Sequence, residues 1–310
     1  MSARSRAREP SAVFAVLPRA GLGNKLFIWA RAFAFARAHN LESYTFGWNN
    51  FSGGPISRSE RRNVLYGLYI RGEGFRKFGR LARYIGNRTI YEPEYDAVPN
   101  VRTNYVFHKI PHYRDYFGYF HHHRLGVIAE FCKLPRQSIS KLVSRQPNPV
   151  VALHIRRGDF RELTPNNSIA LAGLVRTPLE YFRQIVFELR RCAEAVLPVT
   201  VFSDGSDEEL IGILEMENVH RASDMADVGH LALMARSKVI VASAGSTFSL
   251  WGGFLSDAAL ILHPYHIHAP IRPSQLHDTL YEGPAKGKWE DWHPQLIRSI
   301  QSMKDFATRT

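Results

Sequence analysis

Apolar positions along the chain fall into short β-favouring runs and longer segments rich in Ala, Phe and Leu. The run Val13–Leu17 is followed by Gly21 and Gly23 and then by Lys25–His39, which predicts a strand, a glycine turn and a helix. From Leu41 to about Gly86 the periodicity is poor. Arg58, Arg61, Arg62, Arg71, Arg76, Arg80, Arg83 and Arg88 are interleaved there with Tyr66, Tyr69, Phe75, Phe78 and Tyr84, and no element order follows. Glu130–Ser144 reads as a helix. Pro147 and Pro149 then punctuate the chain, which places a domain boundary between residues 1–148 and 149–310.

Beyond the boundary, apolar runs and helical patterns alternate. Val150–Ile155, Val199–Phe202, Lys238–Ala242 and Ala258–Leu262 read as buried strands, and Pro178–Ala195, Asp207–Met216 and Gly229–Ala235 as helices. Short apolar strands separated by helices predict an α/β chain with a parallel, doubly wound sheet. Ser206 followed by Glu209 has capping-box spacing. The tail Trp289–Phe306 reads as a last helix, placed to pack back on the first domain.

A length of 310 residues fits two packed domains or one large α/β unit. With 45% hydrophobic and 22% charged residues the chain can bury a real core, which excludes global disorder. Cys132 and Cys192 lack Cys-x-x-Cys spacing, so they read as free core thiols, not as a disulfide framework or a zinc site. No apolar run reaches about 18 residues, and the stretch after Arg4, Arg6 and Arg8 is too short for a signal-peptide core, so a cytoplasmic location is expected. The net charge of +12 implies an anionic partner: nucleotide phosphates, nucleic acid or a membrane surface. Charge alone does not choose among them.

Four loops at predicted strand ends carry candidate chemistry. Gly21-Leu22-Gly23-Asn24 sits between strand and helix, where backbone amides and the helix dipole favour an anion. Leu26 stands where a dinucleotide fingerprint needs its third glycine, and no Gly-Lys-Ser/Thr follows, which argues against NAD and ATP chemistry. His154-Ile155-Arg156-Arg157-Gly158-Asp159-Phe160 ends a buried strand, the place where open α/β sheets bind ligands. Two adjacent arginines there need acidic partners or an anionic ligand, and one on ligand phosphate with the other internally paired to Asp159 satisfies both. Phe202-Ser203-Asp204-Gly205 offers a carboxylate that could read guanine, bond ribose or shape the turn. Ser243-Ala244-Gly245-Ser246-Thr247-Phe248-Ser249 offers hydroxyls and amides at a helix start, either a phosphate cradle or ordinary caps.

Taken together, in this order and spacing, the four loops resemble the bacterial and animal α-1,2-fucosyltransferases, glycosyltransferase family 11. The resemblance runs from about Val13 to Leu262. Ala20–Phe27 is similar to the family's Gly-Gly-Leu-Gly-Asn-Gln-Leu-Phe, and His154–Phe160 to its His-Val-Arg-Arg-Gly-Asp-Tyr. Pro178–Ile185 resembles its Pro-x-x-Tyr-Tyr helix, Val201–Asp204 its Phe-Ser-Asp strand end, and Asp227–Leu255 its Asp-x-x-x-Met and Asn-Ser-Ser-Phe-Ser-Trp-Trp segment. Gly118-Tyr119-Phe120 echoes a Gly-Tyr-Phe-Gln stretch. Ala20, Lys25, Phe160, Ala244-Gly245 and Leu250 depart from the pattern.

The resemblance implies a GT-B-like fold of two Rossmann-like domains, with the acceptor on the first and GDP-fucose on the second. It implies an inverting transfer of fucose to the 2-hydroxyl of a galactose-type acceptor, on a glycan or lipid-linked oligosaccharide, without a metal. Arg156 and Asn24 would be catalytic, with Arg156 on the departing pyrophosphate. Gly21, Gly23, His154, Arg157, Asp204, Ser246, Thr247 and Phe248 would bind the donor, Asp204 through guanine. Asp159 and Glu162 are the nearest carboxylates for a general base. His121–His123 are read as surface or acceptor-groove residues, since consecutive histidines do not converge easily on one ion. The basic surface leaves peripheral membrane contact open. The alternatives are a GDP-fucose enzyme of another linkage, α-1,6 or protein O-linked, and a nucleic-acid-binding protein; the second leaves the four loops unexplained, so no nucleic-acid partner is expected.

Overall fold

The computed structural model of the protein describes residues 11–51, 56, 61–71, 87–164, 175–265 and 268–304. Arg58, Arg76, Arg80, Arg83, Phe75, Phe78 and Tyr84 lie outside them. Two all-parallel sheets organise the chain. In the first, β1 (Ala12–Val16), β2 (Glu42–Phe46), β3 (Arg88–Tyr91) and β4 (Thr103–Phe107) lie in the order β2-β1-β4-β3. In the second, β5 (Val151–Ile155), β6 (Val199–Ser203), β7 (Val219–Arg221), β8 (Val239–Val241), β9 (Ala259–Leu262) and β10 (Glu282–Pro284) lie in the order β10-β9-β8-β5-β6-β7. The central strands β5, β8 and β9 are buried at every position, which is why they read as unbroken apolar runs. By contrast β2, β3 and β7 are short, half-exposed edge strands, and they escaped the hydrophobic pattern.

The helices are α1 (Leu22–Ala38), α2 (Arg124–Phe131), α3 (Gln137–Arg145), α4 (Leu179–Ala193), α5 (Ile211–Leu214), α6 (Asp227–Met234), α7 (Thr247–Leu255) and α8 (Pro294–Gln301). The single helix expected over Glu130–Ser144 is two helices. Pro135 lies between them in a bridge with Ile70, and Arg71 N–H donates to the Leu134 carbonyl, so the chain there serves an extended contact. The segment expected as a helix from Asp207 begins as a 3-10 turn, with Ser206 and Glu209 exchanging the two capping-box bonds at 3.0 and 3.3 Å. The last helix, expected to return to the first domain, packs on α4 instead. Leu296, Ile300 and Met303 join Phe182, Ile185 and Leu189 in the core of the second sheet. Both cysteines are free; Cys192 is buried, but Cys132 is exposed and is not a core thiol.

One apolar core runs through both halves. Phe27 of α1 meets Trp251 of α7, and Phe117, Phe120 and Phe254 pack around the indole. The Trp251 indole N–H donates to the Gly23 carbonyl at 2.9 Å. A buried apolar seam of this kind opposes free hinge motion between the two sheets. It also carries α3, ahead of the proline boundary, against α6.

Two buried arginines anchor the far end of α7. Arg272 donates to the carbonyls of Gly253, Ser256 and Ala258, and Arg124 to those of Phe254 and Ser256. Cations at a helix C-terminus face the negative end of its dipole, so this arrangement is favourable and fixes where the N-terminus of α7 points.

Candidate functional site

In the second sheet the chain reverses its direction of travel between β5 and β8, the neighbours at the centre. Ligands of open α/β sheets bind outside the strand carboxyl ends at such a switch point. The loops after β5 and β8 form one wall of a cleft of about 200 Å³ there. The Ser243 hydroxyl stitches them together, donating to the His154 carbonyl and accepting from Arg156 N–H at 2.8 and 2.9 Å. Gly245 holds φ +69, a conformation that disfavours a Cβ.

Two helix N-termini converge on the cleft, those of α1 and α7. Gly21 and Ser246 are their N-caps, and neither supplies a side-chain cap. The Ser246 hydroxyl instead lies 3.3 Å from His154 Nδ1, whose nearer partner is Ser249 Oγ at 2.7 Å. Burial, aided by the Arg156 charge, lowers the His154 pKa to about 3, so the imidazole is neutral and acts as a hydrogen-bonding spacer stacked on Phe248. A Cβ on Gly23 would lie 2.5 Å from Thr247 Oγ1 and 3.1 Å from Phe248 N, so this glycine lets the two helix starts approach. Helix-start amides and helix dipoles directed at one cleft favour an anion there.

The charges across the cleft depart from the sequence expectation. Arg156, not Arg157, is the paired arginine. Its guanidinium bonds both Asp204 and Asp159. Arg62 stands behind the same carboxylates, 3.9 Å from Asp204 and 3.7 Å from Asp159. Asp204 is 6% exposed; its Oδ1 accepts from Arg157 N–H at 2.8 Å and its Oδ2 meets Arg156. A guanine-reading role for Asp204 therefore competes with two existing bonds. The Arg157 side chain turns away, donating to the Thr177 carbonyl at 3.4 Å, and its pKa is lowered by burial. Adjacent residues leaving a strand end diverge, and the Asp159 carboxylate lies on the Arg156 side.

Gly21, Gly23, Asn24, His154, Arg156, Asp204, Ser246, Thr247 and Phe248 all line the cleft; of the expected residues, Arg157 does not. Asp159 lines it, whereas Glu162 is 81% exposed and pairs with Arg176 at 3.6 Å outside it. His121–His123 lie elsewhere, with His123 bonded to Tyr95. Sequence reasoning missed Arg61, Arg62, Tyr66, Tyr116, Asp227 and His230 as lining residues. Their signal was weak. Arg61, Arg62 and Tyr66 fell in the aperiodic arginine-rich stretch, and Asp227 gained its place only by pairing with Asn63, 164 positions away.

Asp227 is buried and ties both halves together. Its carboxylate accepts from Asn63 N–H at 3.2 Å and from the Tyr66 hydroxyl at 3.0 Å, while its own N–H donates to Asn63 Oδ1 at 2.7 Å. Burial raises the pKa of both Asp227 and Tyr66. Among the described residues, no group of three or more His, Cys, Asp or Glu side chains is placed to hold a metal ion, and no helix is long and apolar enough to cross a membrane.

The model of glycosyl transferase family 11 matches residues 90–267, more than half of the chain. No curated protein sequence matches. Among solved structures, the fucosyltransferase NodZ from Bradyrhizobium superposes with a TM-score of 0.53 at 11% identity, over 84% of this chain and 98% of that one. A second structure, NodZ α-1,6-fucosyltransferase co-crystallized with GDP, gives 0.50 at 11% identity over 83% and 95%. At such identity the likeness is one of fold: two Rossmann-like sheets in a GT-B-like arrangement.

Proposed function

The chain belongs to glycosyl transferase family 11, and from that premise we propose that it transfers fucose from GDP-fucose to the 2-hydroxyl of a galactose-type acceptor, with inversion. The observation that carries this reading is the cleft at the β5/β8 switch point, where Arg156 and the N-termini of α1 and α7 come together with Asn24. The solved relative co-crystallized with GDP supports the nucleotide.

The chemistry of the step asks for two things. Negative charge develops on the leaving diphosphate, and preorganised cations and amides stabilise it without reorganising. We assign that role to Arg156 and the first turns of α1 and α7, which line the cleft, and expect transfer to need no metal. The acceptor hydroxyl must also lose a proton. Asp159 is the carboxylate on the cleft wall that solvent still reaches, at 45% side-chain exposure; Glu162 lies outside, and Asp204 and Asp227 are buried. Asp204 is assigned to orienting Arg156 through the pair it makes.

The test is a transfer assay with GDP-fucose, GDP-mannose and UDP-galactose against galactose-terminated acceptors, with and without EDTA, and with product linkage determined. Fucosylated product with an α-1,2 linkage, unaffected by chelation, is expected. Preference for another donor, or activity lost to EDTA and restored by manganese, would overturn the reading.

A further inference from the structure

Arg61 and Arg62 also line the cleft, left unassigned by the sequence reading and supplied from the opposite side. Residues Arg61–Tyr66 precede the first sheet's β3 and β4, yet they lie across the carboxyl edge of the second sheet. Arg61 N–H donates to the Asp204 carbonyl at 3.0 Å. Asn63 and Asp227 clasp each other reciprocally, backbone to side chain in both directions. Tyr66 then links two elements, since its hydroxyl donates to Asp227 and accepts from Leu22 N–H at 3.1 Å in the first turn of α1. Polar groups this buried are held because leaving any one unpaired costs about 1–3 kcal/mol. The segment is thus a fixed strap.

What the strap delivers is Arg62. Its side chain is 17% exposed and lines the cleft beside Arg156. Its Nη1 lies so close to Gly21, the N-cap of α1, that a Cβ there would sit 3.2 Å away. A cation against the positive end of a helix is unfavourable unless negative charge lies between them. Asp159 and Asp204 lie 3.7 and 3.9 Å from the guanidinium, and Asp227 lines the same cleft, so carboxylates hold Arg62 at the helix start. Arg61 pairs with Asp207 at 3.6 Å, so Arg62 is the cation that the strap sets beside Arg156, where the first turn of α1 opens into the cleft.

We propose that Arg62 is a second phosphate-binding cation, supplied across the cleft by the strap, and that Arg62 and Arg156 together recognise a diphosphate as distinct from a monophosphate. Each guanidinium fork matches one phosphate group. Asn63, Tyr66 and Asp227 are positioning residues that hold Arg62 in register. This inference rests on the nucleotide-sugar reading above for its ligand class, but not for the identity of the base.

The test is calorimetric titration of GDP, ADP, UDP and GMP against wild type, Arg62→Ala and Arg62→Gln, the second variant keeping side-chain volume should the first fail to fold. Loss of Arg62 should lower affinity for the preferred diphosphate about 10- to 100-fold, the scale of hydrogen bonds to a charged group, and lower GMP affinity no more than about threefold. Asn63→Ala should move the same diphosphate-to-monophosphate ratio in the same direction, which a purely structural strap would not do. Equal losses for GDP and GMP, or unchanged GDP binding, would overturn the role of Arg62. Tighter binding of ADP or UDP than of GDP would overturn the guanine assignment instead, with Arg62 still judged by the ratio. A wild type that binds no nucleoside diphosphate would overturn both.

Discussion

Replacing Asp204 by Asn removes one negative charge and little volume from the centre of the cleft. The native carboxylate is 6% exposed, receives Arg157 N–H at 2.8 Å, pairs with the Arg156 guanidinium and has Arg62 3.9 Å away. The amide of Asn offers one acceptor and turns a donor toward either Arg156 or Arg157 N–H. Breaking a buried pair by removing one partner costs about 3–5 kcal/mol, and Asp159 still compensates Arg156, which favours the lower end. Unfolding entropy of about 2.1 cal/mol/K per residue over 310 residues is about 0.65 kcal/mol/K, so a loss of about 3 kcal/mol lowers Tm by about 5 °C. Thermal unfolding followed by circular dichroism reads this directly. Glu162→Gln is the control, because an 81% exposed partner at 3.6 Å should shift Tm by less than about 1 °C. Nucleotide titration of the same protein separates two roles. If Asp204 acts through Arg156, GDP and ADP lose affinity alike. A selective loss for GDP would make it the base reader, and a melting point within about 1 °C of wild type would refute the buried-pair argument.

Arg156→Ala should lower turnover about 100- to 1000-fold, and Arg156→Lys should restore little, since a point charge lacks the fork; steady-state transfer kinetics decide. Gly23→Ala should destabilise by about 1–3 kcal/mol despite the helix-propensity gain, because its Cβ would press on Thr247 and the backbone of Phe248; a higher Tm would sink the close-approach claim. Lys25 is fully buried, donates to the Gly47 carbonyl at 2.8 Å, and has its pKa lowered by burial to about 8 from 10.5. Between those values the unfolded chain binds more protons, so the penalty is full below pH 8 and fades as pH rises. Relative to Lys25→Met, wild type should gain about 2 kcal/mol in denaturant unfolding between about pH 7.5 and about pH 10, and a flat difference would contradict this.

The α/β class, the buried strands β5, β6, β8 and β9, and four loops at strand ends were legible in the sequence, because each depends on residues near one another in the chain. Apolar runs mark strands buried on both faces, and glycine, serine and arginine at their ends mark where backbone amides and charge reach a ligand. The edge strands β2, β3 and β7 were not legible, since half-exposed strands of three to five residues carry little pattern. Nor was the division of the arginine pair. Which of Arg156 and Arg157 meets a carboxylate depends on how the backbone leaves β5 and on Asp204 at the end of β6, 48 residues from Arg156. The direction of the last helix was likewise decided by an apolar face on α4 that its own periodicity cannot name. The Arg61–Tyr66 strap shows the limit most plainly. It has no periodicity, and its place follows from a clasp between Asn63 and Asp227, groups that neutralise each other's buried polarity only after two sheets have packed around one apolar seam.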